Sequence, residues 1–299
     1  MLAFSDGRFN CVVILDAIPD GERNTARILK DTLQDISDYK YQPLRVKYLR
    51  LNSIQDLIDG LDTINQEIKI SGLLPWLHFE GHGYVNESNV VDDTKDGIKL
   101  ADQYRCSWLQ LKKLITPLNI STNLNLMLTL ASCFGGAFAS TIDPTDRAPV
   151  LGLIGPQKEI LVGEIQTDFT AFYKEFFNSF SLRNALDALC KNTPKGLYFT
   201  ISAKDYFYRV WSMYTIQLCT DEAMESRAKD LYCKSKATMG IKTPTIKEWI
   251  YQLHKDNHVV FDKYRDVYFM YDLFPENNNR FNVSHDEAEV YIANMRDAK

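Results

Sequence analysis

The sequence predicts an α/β protein with a mostly parallel β-sheet and helices on both faces. Two observations support this fold class. Over roughly the first 200 residues, short apolar runs rich in β-branched residues alternate with longer segments of helical spacing. The apolar runs are continuous, which is typical of strands that are buried on both faces. Because strands joined through helices form parallel sheets, the alternation also predicts parallel pairing.

The first half of the chain alternates between the two patterns. Strands are expected at residues 11–15, 45–51 and 73–79, and helices at residues 22–37 and 53–70. The first strand (CVVIL) is apolar throughout, whereas each helix carries its apolar residues on one face. Ser53 is suited to cap the second helix at its N-terminus.

The alternation continues over the next hundred residues. A polar, turn-rich stretch precedes a helix for which Pro117 is the expected stop. The predicted order is a polar stretch at 84–102, a helix at 108–115, strands at 124–130 and 150–154, an apolar run at 160–162, and one or two helices within 166–190.

The character of the sequence changes after about residue 200. Gly240 is the last glycine, helical patterns dominate, and residues 266–281 are rich in aromatic side chains. We therefore expect two domains: an α/β domain over residues 1–200, and a mainly helical extension over residues 201–299 that packs on it. No repeat or low-complexity tract separates the two.

The composition limits the classes of function. The formal net charge is -5 and the pI is about 5.6, so bulk electrostatic binding to nucleic acid or to an anionic membrane is not expected. No run approaches the roughly 18 apolar residues that span a bilayer. Six scattered cysteines without a CxxC pair favour a reducing compartment, and the N-terminus lacks a signal-peptide pattern. We expect a cytoplasmic protein.

Two glycine-flanked segments follow predicted strands. Residues 80–83 (EGHG) follow the third strand, and residues 131–136 (ASCFGG) follow the fourth. Reactive groups collect at the carboxyl ends of the strands of an open α/β sheet. We therefore expect His82 and Cys133 to face each other across a cleft. A thiolate is a strong nucleophile, and an imidazole can take its proton and later protonate a leaving amine.

The backbone around this pair suits the same chemistry. The N–H groups of Gly83 and Cys133 are expected to donate to the oxyanion of a tetrahedral intermediate. Gly135 and Gly136 would let a substrate backbone approach closely. The alternative is that Cys133 is a buried core cysteine and that His82 only satisfies a loop, since free cysteine is among the most buried residue types. The pairing of the two residues at strand ends favours the catalytic interpretation.

These segments resemble the caspase-like cysteine peptidases, in particular their prokaryotic CHAT-type branch. Cys133 lies 51 residues after His82, and the histidine of caspases lies about 50 residues before the nucleophile. The resemblance covers roughly residues 9–200. It includes the segments at residues 97–102 (GIKLAD), 108–111 (WLQL) and 167–177.

The resemblance implies a dyad in which His82 is the general acid/base and Cys133 is the nucleophile, with the N–H groups of Gly83 and Cys133 as the oxyanion hole. It implies neither a cofactor nor a metal. The chain departs from the family at Ser132 and Phe134, where many members have an acidic residue before the cysteine or a small polar residue after it. The departure concerns the substrate pocket rather than the dyad.

The resemblance also suggests how a substrate is selected. Members of the family often bind a charged P1 side chain through opposite charge in the S1 pocket. Four carboxylates in loops and in a helix start are candidates for an acidic pocket that would favour arginine or lysine at P1: Asp143, Asp146, Glu164 and Asp168.

Two histidine patterns allow a metal interpretation. His78-x-Glu80 matches the first half of the zinc deaminase signature, but the Pro-Cys-x-x-Cys half is absent, and the order does not fit the helical zincin motif. We expect His78 to pack under the site and Glu80 to orient a loop. His254 and His258 lie four residues apart on an expected helix, where a solvated face is more common than a metal site.

The combined expectation is a cysteine endopeptidase, a hydrolase that cleaves protein or peptide substrates. By analogy with the family, it would be a regulated effector in a prokaryotic antiviral defence or cell-death pathway. The aromatic C-terminal region suggests an alternative, a latent or inactive caspase-like adaptor that binds a regulatory protein partner. A third alternative is a non-peptidase cysteine hydrolase. Neither nucleic acid nor a membrane is an expected partner.

Overall fold

The computed structural model describes residues 8–39, 45–85, 96–238, 248, 250–251 and 257–297. The chain divides into two compact units. The first, the sheet unit, contains Met1–Asp143 and Ala148–Ala203, and the second, the helical unit, contains Pro144–Arg147 and Lys204–Lys299. The domain boundary predicted at residue 200 lies close to the division between Ala203 and Lys204, but the assignment of residues 144–147 to the second unit was not predicted.

Short strands with buried side chains form the centre of the sheet unit. In chain order they are β1 (Cys11–Asp16), β2 (Arg45–Arg50), β3 (Pro75–Glu80), β4 (His82–Tyr84), β5 (Gly97–Lys99), β6 (Arg105–Ser107), β7 (Met127–Ala131), β8 (Gly152–Pro156) and β9 (Tyr198–Ser202). The main sheet has the order β2-β1-β3-β7-β8-β9, and its neighbours are parallel except for the pair β8 and β9. Strands β4, β5 and β6 form a small antiparallel sheet.

Helices connect these strands and cover the sheet. In the sheet unit they are α1 (Thr25–Tyr39), α2 (Ile54–Ser71), α3 (Trp108–Ser121), α4 (Val162–Ser179) and α5 (Leu182–Cys190), with a 3-10 turn at Gly135–Thr141. Helix α1 packs against α4, and α2 packs against α3. Every residue of β1, β3 and β7 is buried. The predicted α/β fold, with a mostly parallel sheet flanked by helices, is therefore confirmed.

Helix α3 is longer than the helix expected from the sequence. The predicted stop at Pro117 was wrong, because the helix continues to Ser121. Buried Asn119 holds this last turn: its side-chain N–H donates to the carbonyl of Ala148 at 2.7 Å, and its side-chain oxygen accepts from the N–H of Leu126 at 2.9 Å. These bonds hold the last turn in place, although Pro117 cannot donate a backbone hydrogen bond within the helix.

An aromatic cluster between the sheet and α4 forms a large part of the core. Trp76 of β3 is fully buried at its centre, and its indole N–H donates to Thr129 Oγ1 of β7 at 2.9 Å. Its ring contacts four other aromatic rings at centroid distances between 5.2 and 5.9 Å: Phe9, Phe172, Tyr173 and Phe176. The cluster therefore ties β3, β7 and α4 together.

The helical unit has a separate aromatic core. Its described helices are α6 (Ala203–Leu218), α7 (Asp221–Thr238), α8 (Asn257–Tyr268), α9 (Asn277–Phe281) and α10 (His285–Asp297). The ring of Phe207 contacts those of Phe261, Tyr268 and Phe269. Residues 144–147 belong to this unit, since Arg147 forms a bidentate ion pair with Asp272 at 2.9 and 2.7 Å.

A histidine pair makes the helical unit sensitive to acid. The ring of His285, at the start of α10, lies 3.8 Å from that of His258. Burial and then His258 lower the pKa of His285 below its ordinary value, about 6.5, although Glu289, Asp286 and Asp262 oppose the shift. The unfolded chain therefore binds this proton more readily than the folded chain. The contribution of His285 to the free energy of unfolding is therefore fully present above about pH 6.5, and it is lost as the pH falls below that value.

We expect the free energy of unfolding of the helical unit, measured by urea titration, to be lower at about pH 5.5 than at about pH 7.5. Replacement of His285 with glutamine removes the titrating group, so the difference between the two pH values should shrink. A His285→Gln variant whose stability falls with acid as steeply as that of the wild type would contradict the assignment.

Candidate active site

His82 stands at the point where the main sheet passes into the small antiparallel sheet. Strand β3 ends at Glu80, and β4 begins at His82 after a single intervening glycine. The imidazole Nε2 lies 2.7 Å from Oε2 of Glu22, in the loop between β1 and α1. Both side chains are nearly half exposed, at 44% and 45%. Because a carboxylate can only accept a hydrogen bond, this contact assigns the proton to Nε2 and leaves Nδ1 as an acceptor.

Cys133 follows the buried strand β7 at a sharp turn. Phe134 has a left-handed backbone conformation with φ of 59°, which is uncommon for a bulky side chain, and the 3-10 turn begins at Gly135. Such strained residues cluster at functional sites. The sulfur of Cys133 accepts a hydrogen bond from the N–H of Ile160 at 3.5 Å and lies 3.7 Å from the carbonyl of Ile160. Within the described residues, no acceptor takes the N–H of Cys133 itself.

The two strand ends meet through the backbone of Gly83. A Cβ atom added to Gly83 would lie 1.8 Å from the carbonyl oxygen of Cys133 and 2.7 Å from its carbonyl carbon. Only glycine allows the two main chains to approach this closely. The structure therefore brings the predicted histidine and cysteine segments together, with His82 immediately beside the contact.

Gly135 and Gly136 have a different role from the one expected. A Cβ atom on Gly135 would lie 2.4 Å from the carbonyl oxygen of Leu130, and one on Gly136 would lie 2.9 Å from Cβ of Phe199. Both glycines are buried. They let the 3-10 turn pack on β7 and β9, so the expectation that they admit a substrate backbone was wrong.

His82 and Cys133 line the same solvent-open cavity. The walls are mostly aliphatic, and charged side chains lie at its rim and floor. The aliphatic lining residues are Ile18, Ala131, Ile160, Val162 and Ile165, and the other polar or charged ones are Glu22, Arg23, Thr25 and Glu80. Glu80 is only 2% exposed, whereas Glu22 and Arg23 are exposed.

The four carboxylates suggested for an acidic pocket are not among the residues that line this cavity. Asp168 is buried and accepts from the hydroxyl of Tyr198 at 2.8 Å, and burial raises the pKa of its carboxyl group. Glu164 accepts from the N–H of Leu161 at the start of α4. Asp143 lies between the 3-10 turn and β8, and Asp146 belongs to the helical unit.

Two other carboxylates line the cavity, Glu22 and Glu80. Glu22 was not among the residues predicted from the sequence, and Glu80 was expected only to orient a loop. A signal for Glu22 existed, since it follows β1 at the same carboxyl edge of the sheet as His82 and Cys133. For Glu80, the position at the very end of β3 was the corresponding signal.

The metal interpretations receive no support from the described residues. Both ring nitrogens of His78 have partners, Tyr173 at 3.1 Å and Glu80 at 2.9 Å, so no lone pair faces a metal. His254 lies outside the described residues, and His258 stacks on His285. In the ranges that the structure describes, no group of three or more ligand side chains could hold a metal ion.

The other cysteines differ from Cys133 in their surroundings. Burial raises the pKa of Cys11 to about 11 and that of Cys106 to about 12, so both remain thiols at neutral pH. Cys190 and Cys233 are exposed outside the cavity. Burial, followed by Asp168 and Asp187, raises the pKa of Cys190, so Cys233 is the stricter of the two internal references for the reactivity of Cys133.

Comparisons with known proteins leave the family of this chain open. No protein-family model matches the chain, and a search of curated proteins gave no match. Among the described residues, no helix is long and apolar enough to cross a membrane.

Proposed function

We propose that this chain is a caspase-like cysteine endopeptidase that uses Cys133 as its nucleophile and His82 as its general acid/base. The close approach of Gly83 to the backbone of Cys133 is the observation that carries the proposal. It fixes the two strand ends to each other and places both side chains in one cavity. The resemblance of residues 9–200 to the CHAT-type branch supports the same assignment, and from it we assign a regulated, cytoplasmic role in prokaryotic defence or cell death.

In the proposed reaction, each group has a role in peptide-bond cleavage. Glu22 holds the Nε2 proton of His82, so Nδ1 can take the proton of the Cys133 thiol. The thiolate attacks the scissile carbonyl, and the backbone N–H groups of Gly83 and Cys133 stabilise the oxyanion. The imidazolium then protonates the leaving amine. Water hydrolyses the resulting thioester and restores the free thiol.

Alkylation and peptide cleavage together test this proposal. Iodoacetamide at neutral pH, followed by peptide mapping, should modify Cys133 faster than the exposed reference thiols of Cys190 and Cys233. A broad fluorogenic peptide panel should give activity that Cys133→Ala and His82→Ala reduce to background. If Cys133 is alkylated no faster than the reference thiols and no peptide is cleaved, the proposed function fails.

One observation favours a latent form as the second candidate. The sulfur of Cys133 contacts Ile160, and within the described part of the chain no hydrogen bond joins it to His82. A latent peptidase or an adaptor would keep this arrangement until a partner protein moves the loop that carries Ile160. In that case alkylation of Cys133 should be slow in the isolated chain and should accelerate with the partner.

Replacement of Glu22 tests its role in orienting His82. An exposed pair of this kind contributes up to about 1 kcal/mol, so Glu22→Gln should lower kcat by about two- to fivefold and leave KM unchanged. Asp20→Asn is the matched control, because Asp20 is an exposed carboxylate of the same loop that pairs with Arg50 instead. Equal effects of the two substitutions on kcat would show that Glu22 acts only through the charge of the loop.

A further inference from the structure

The small antiparallel sheet has one buried face and one open face. Residues of a strand point alternately to the two faces, and residues directly opposite in an antiparallel pair share a face. Ile98 and Cys106 are register partners, and both are fully buried. His82, Lys99 and Arg105 form the next row of partners, one residue away on each strand, so they project from the other face. His82 and Lys99 are partly exposed, and Arg105 is exposed.

These three side chains, His82, Lys99 and Arg105, form a basic row on the open face. Neighbouring strands lie about 5 Å apart, so the row extends about 10 Å from its first member to its last. Lys99 and Arg105 are directly opposite each other, and like charges in this relation are destabilising. Within the described part of the chain, neither of them forms an ion pair or a side-chain hydrogen bond. An anion from outside would therefore offset the repulsion between these two cations.

Arg105 is held in position by the ring of Tyr84. Its guanidinium carbon lies 5.3 Å from the ring centroid, which is a cation–π arrangement. Tyr84 pairs in register with Gly97, and a Cβ atom on that glycine would lie only 2.8 Å from the hydroxyl oxygen of the tyrosine. Glycine at this position thus leaves room for the ring beneath Arg105. A guanidinium that stacks on a ring keeps the N–H groups at its edge available to a carboxylate.

The carboxylates near the basic row have other contacts. Glu22 pairs with the histidine, at the end of the row that faces the cavity. Asp102, in the turn between β5 and β6, accepts from the backbone N–H of Tyr104 at 2.8 Å. Asp96 precedes β5 and lies near Tyr84. The two cations of the row therefore suit an acidic group that another molecule supplies.

We propose that Lys99 and Arg105 bind acidic side chains of the substrate on its leaving side, at P2′ and P3′. This inference rests on the proposed peptidase function, in which His82 protonates the leaving amine. His82 and Cys133 line the cavity, whereas Lys99 and Arg105 lie outside it. A substrate that leaves the cavity at His82 therefore continues over the basic row. An extended peptide advances by about 3.3 Å per residue, so the second and third residues after the scissile bond reach the two cations.

The first test uses internally quenched peptides that differ only at P2′ and P3′, with two glutamates or two glutamines. At low salt we expect kcat/KM to be about fivefold to tenfold higher for the glutamate peptide, because exposed charge pairs each contribute a small factor. The difference should lie in KM, as is typical of binding contacts away from the reacting bond. In about 1 M salt, where the Debye length is about 3 Å, the preference should fall to within about twofold.

Substitution of the two cations tests their assignment. Lys99→Gln and Arg105→Gln should each lower the preference to about twofold or threefold, and the double variant should remove it. Arg105→Lys keeps the charge and should retain about half of the preference or more. Arg183→Gln is the matched control, because it removes an exposed cation of α5, and it should leave the preference intact. Cysteine-dependent cleavage without a glutamate preference, or a preference that survives in the folded double variant, would overturn this inference and leave the peptidase proposal standing.

The second test does not require turnover. A rhodamine-labelled peptide amide with three consecutive glutamates should bind the full chain at low salt about fivefold more tightly than its glutamine counterpart, as measured by fluorescence anisotropy. The difference should disappear in the double variant of Lys99 and Arg105. Equal binding of the two peptides to the wild type overturns the inference, whether or not any peptide is cleaved. Tighter binding of the glutamate peptide without cleavage supports the basic row as an acidic-peptide site, while the missing cleavage counts separately against the peptidase.

Discussion

Replacement of Gly83 with alanine is expected to remove most of the activity of the site. The added Cβ atom would lie 1.8 Å from the carbonyl oxygen of Cys133, and backbone atoms on both sides prevent a cheap adjustment. One of the two strand ends must therefore move by an ångström or more. A displacement of about that size in a catalytic arrangement can lower the rate on the order of 100-fold, and overpacking of this kind costs about 1–3 kcal/mol of stability.

Gly163→Ala is the matched control. An alanine Cβ at this position in α4 meets no atom within 4 Å, so the substitution should leave alkylation and peptide cleavage as they are in the wild type. Its effect on stability should be a gain of about 0.5–1 kcal/mol. The measurements are the rate of Cys133 alkylation, kcat/KM and the midpoint of urea unfolding. Wild-type alkylation and kcat/KM in Gly83→Ala would show that the backbone contact does not position the dyad.

Much of the sheet could be predicted because its central strands are short and apolar on both faces. Residues 11–15 and 73–79 have no other reasonable place than a buried parallel sheet. The three-residue strands β4, β5 and β6 could not be predicted, since a period of two cannot be recognised over so short a length. Strand β9 was missed although its residues (YFTIS) favour strands, because helical patterns dominate the sequence on both sides of it.

The candidate site could also be predicted only in part. His82 and Cys133 could be located because chain position at a strand end fixes where a residue lies in a parallel sheet. The roles of the carboxylates could not be predicted from the sequence, because the partners of loop and helix residues are determined by tertiary packing. Asp168, for example, accepts a hydrogen bond from the hydroxyl of Tyr198, which lies 30 residues later in the chain, on β9. Glu80 was visible in the sequence, but its hydrogen bonds to His78 and Thr25 were not.

Replacement of Trp76 is expected to have the largest effect on the stability of the sheet unit. The indole is fully buried and packs against four aromatic rings, so Trp76→Ala should cost about 3–5 kcal/mol. Tyr39→Ala removes an aromatic ring that is 88% exposed, and it should change stability by less than about 0.5 kcal/mol. Hydrogen exchange of the β1 and β3 amides would measure the loss in the sheet unit alone, apart from the helical unit.

Trp76→Phe separates the packing of the ring from its hydrogen bond to Thr129. Phenylalanine keeps an aromatic ring in the cluster but cannot donate to Thr129, which should cost about 1–3 kcal/mol, less than the alanine variant. A loss in Trp76→Phe as large as that in Trp76→Ala would contradict this expectation, because it would mean that the hydrogen bond to Thr129, and not the packing of the ring, supplies the stability.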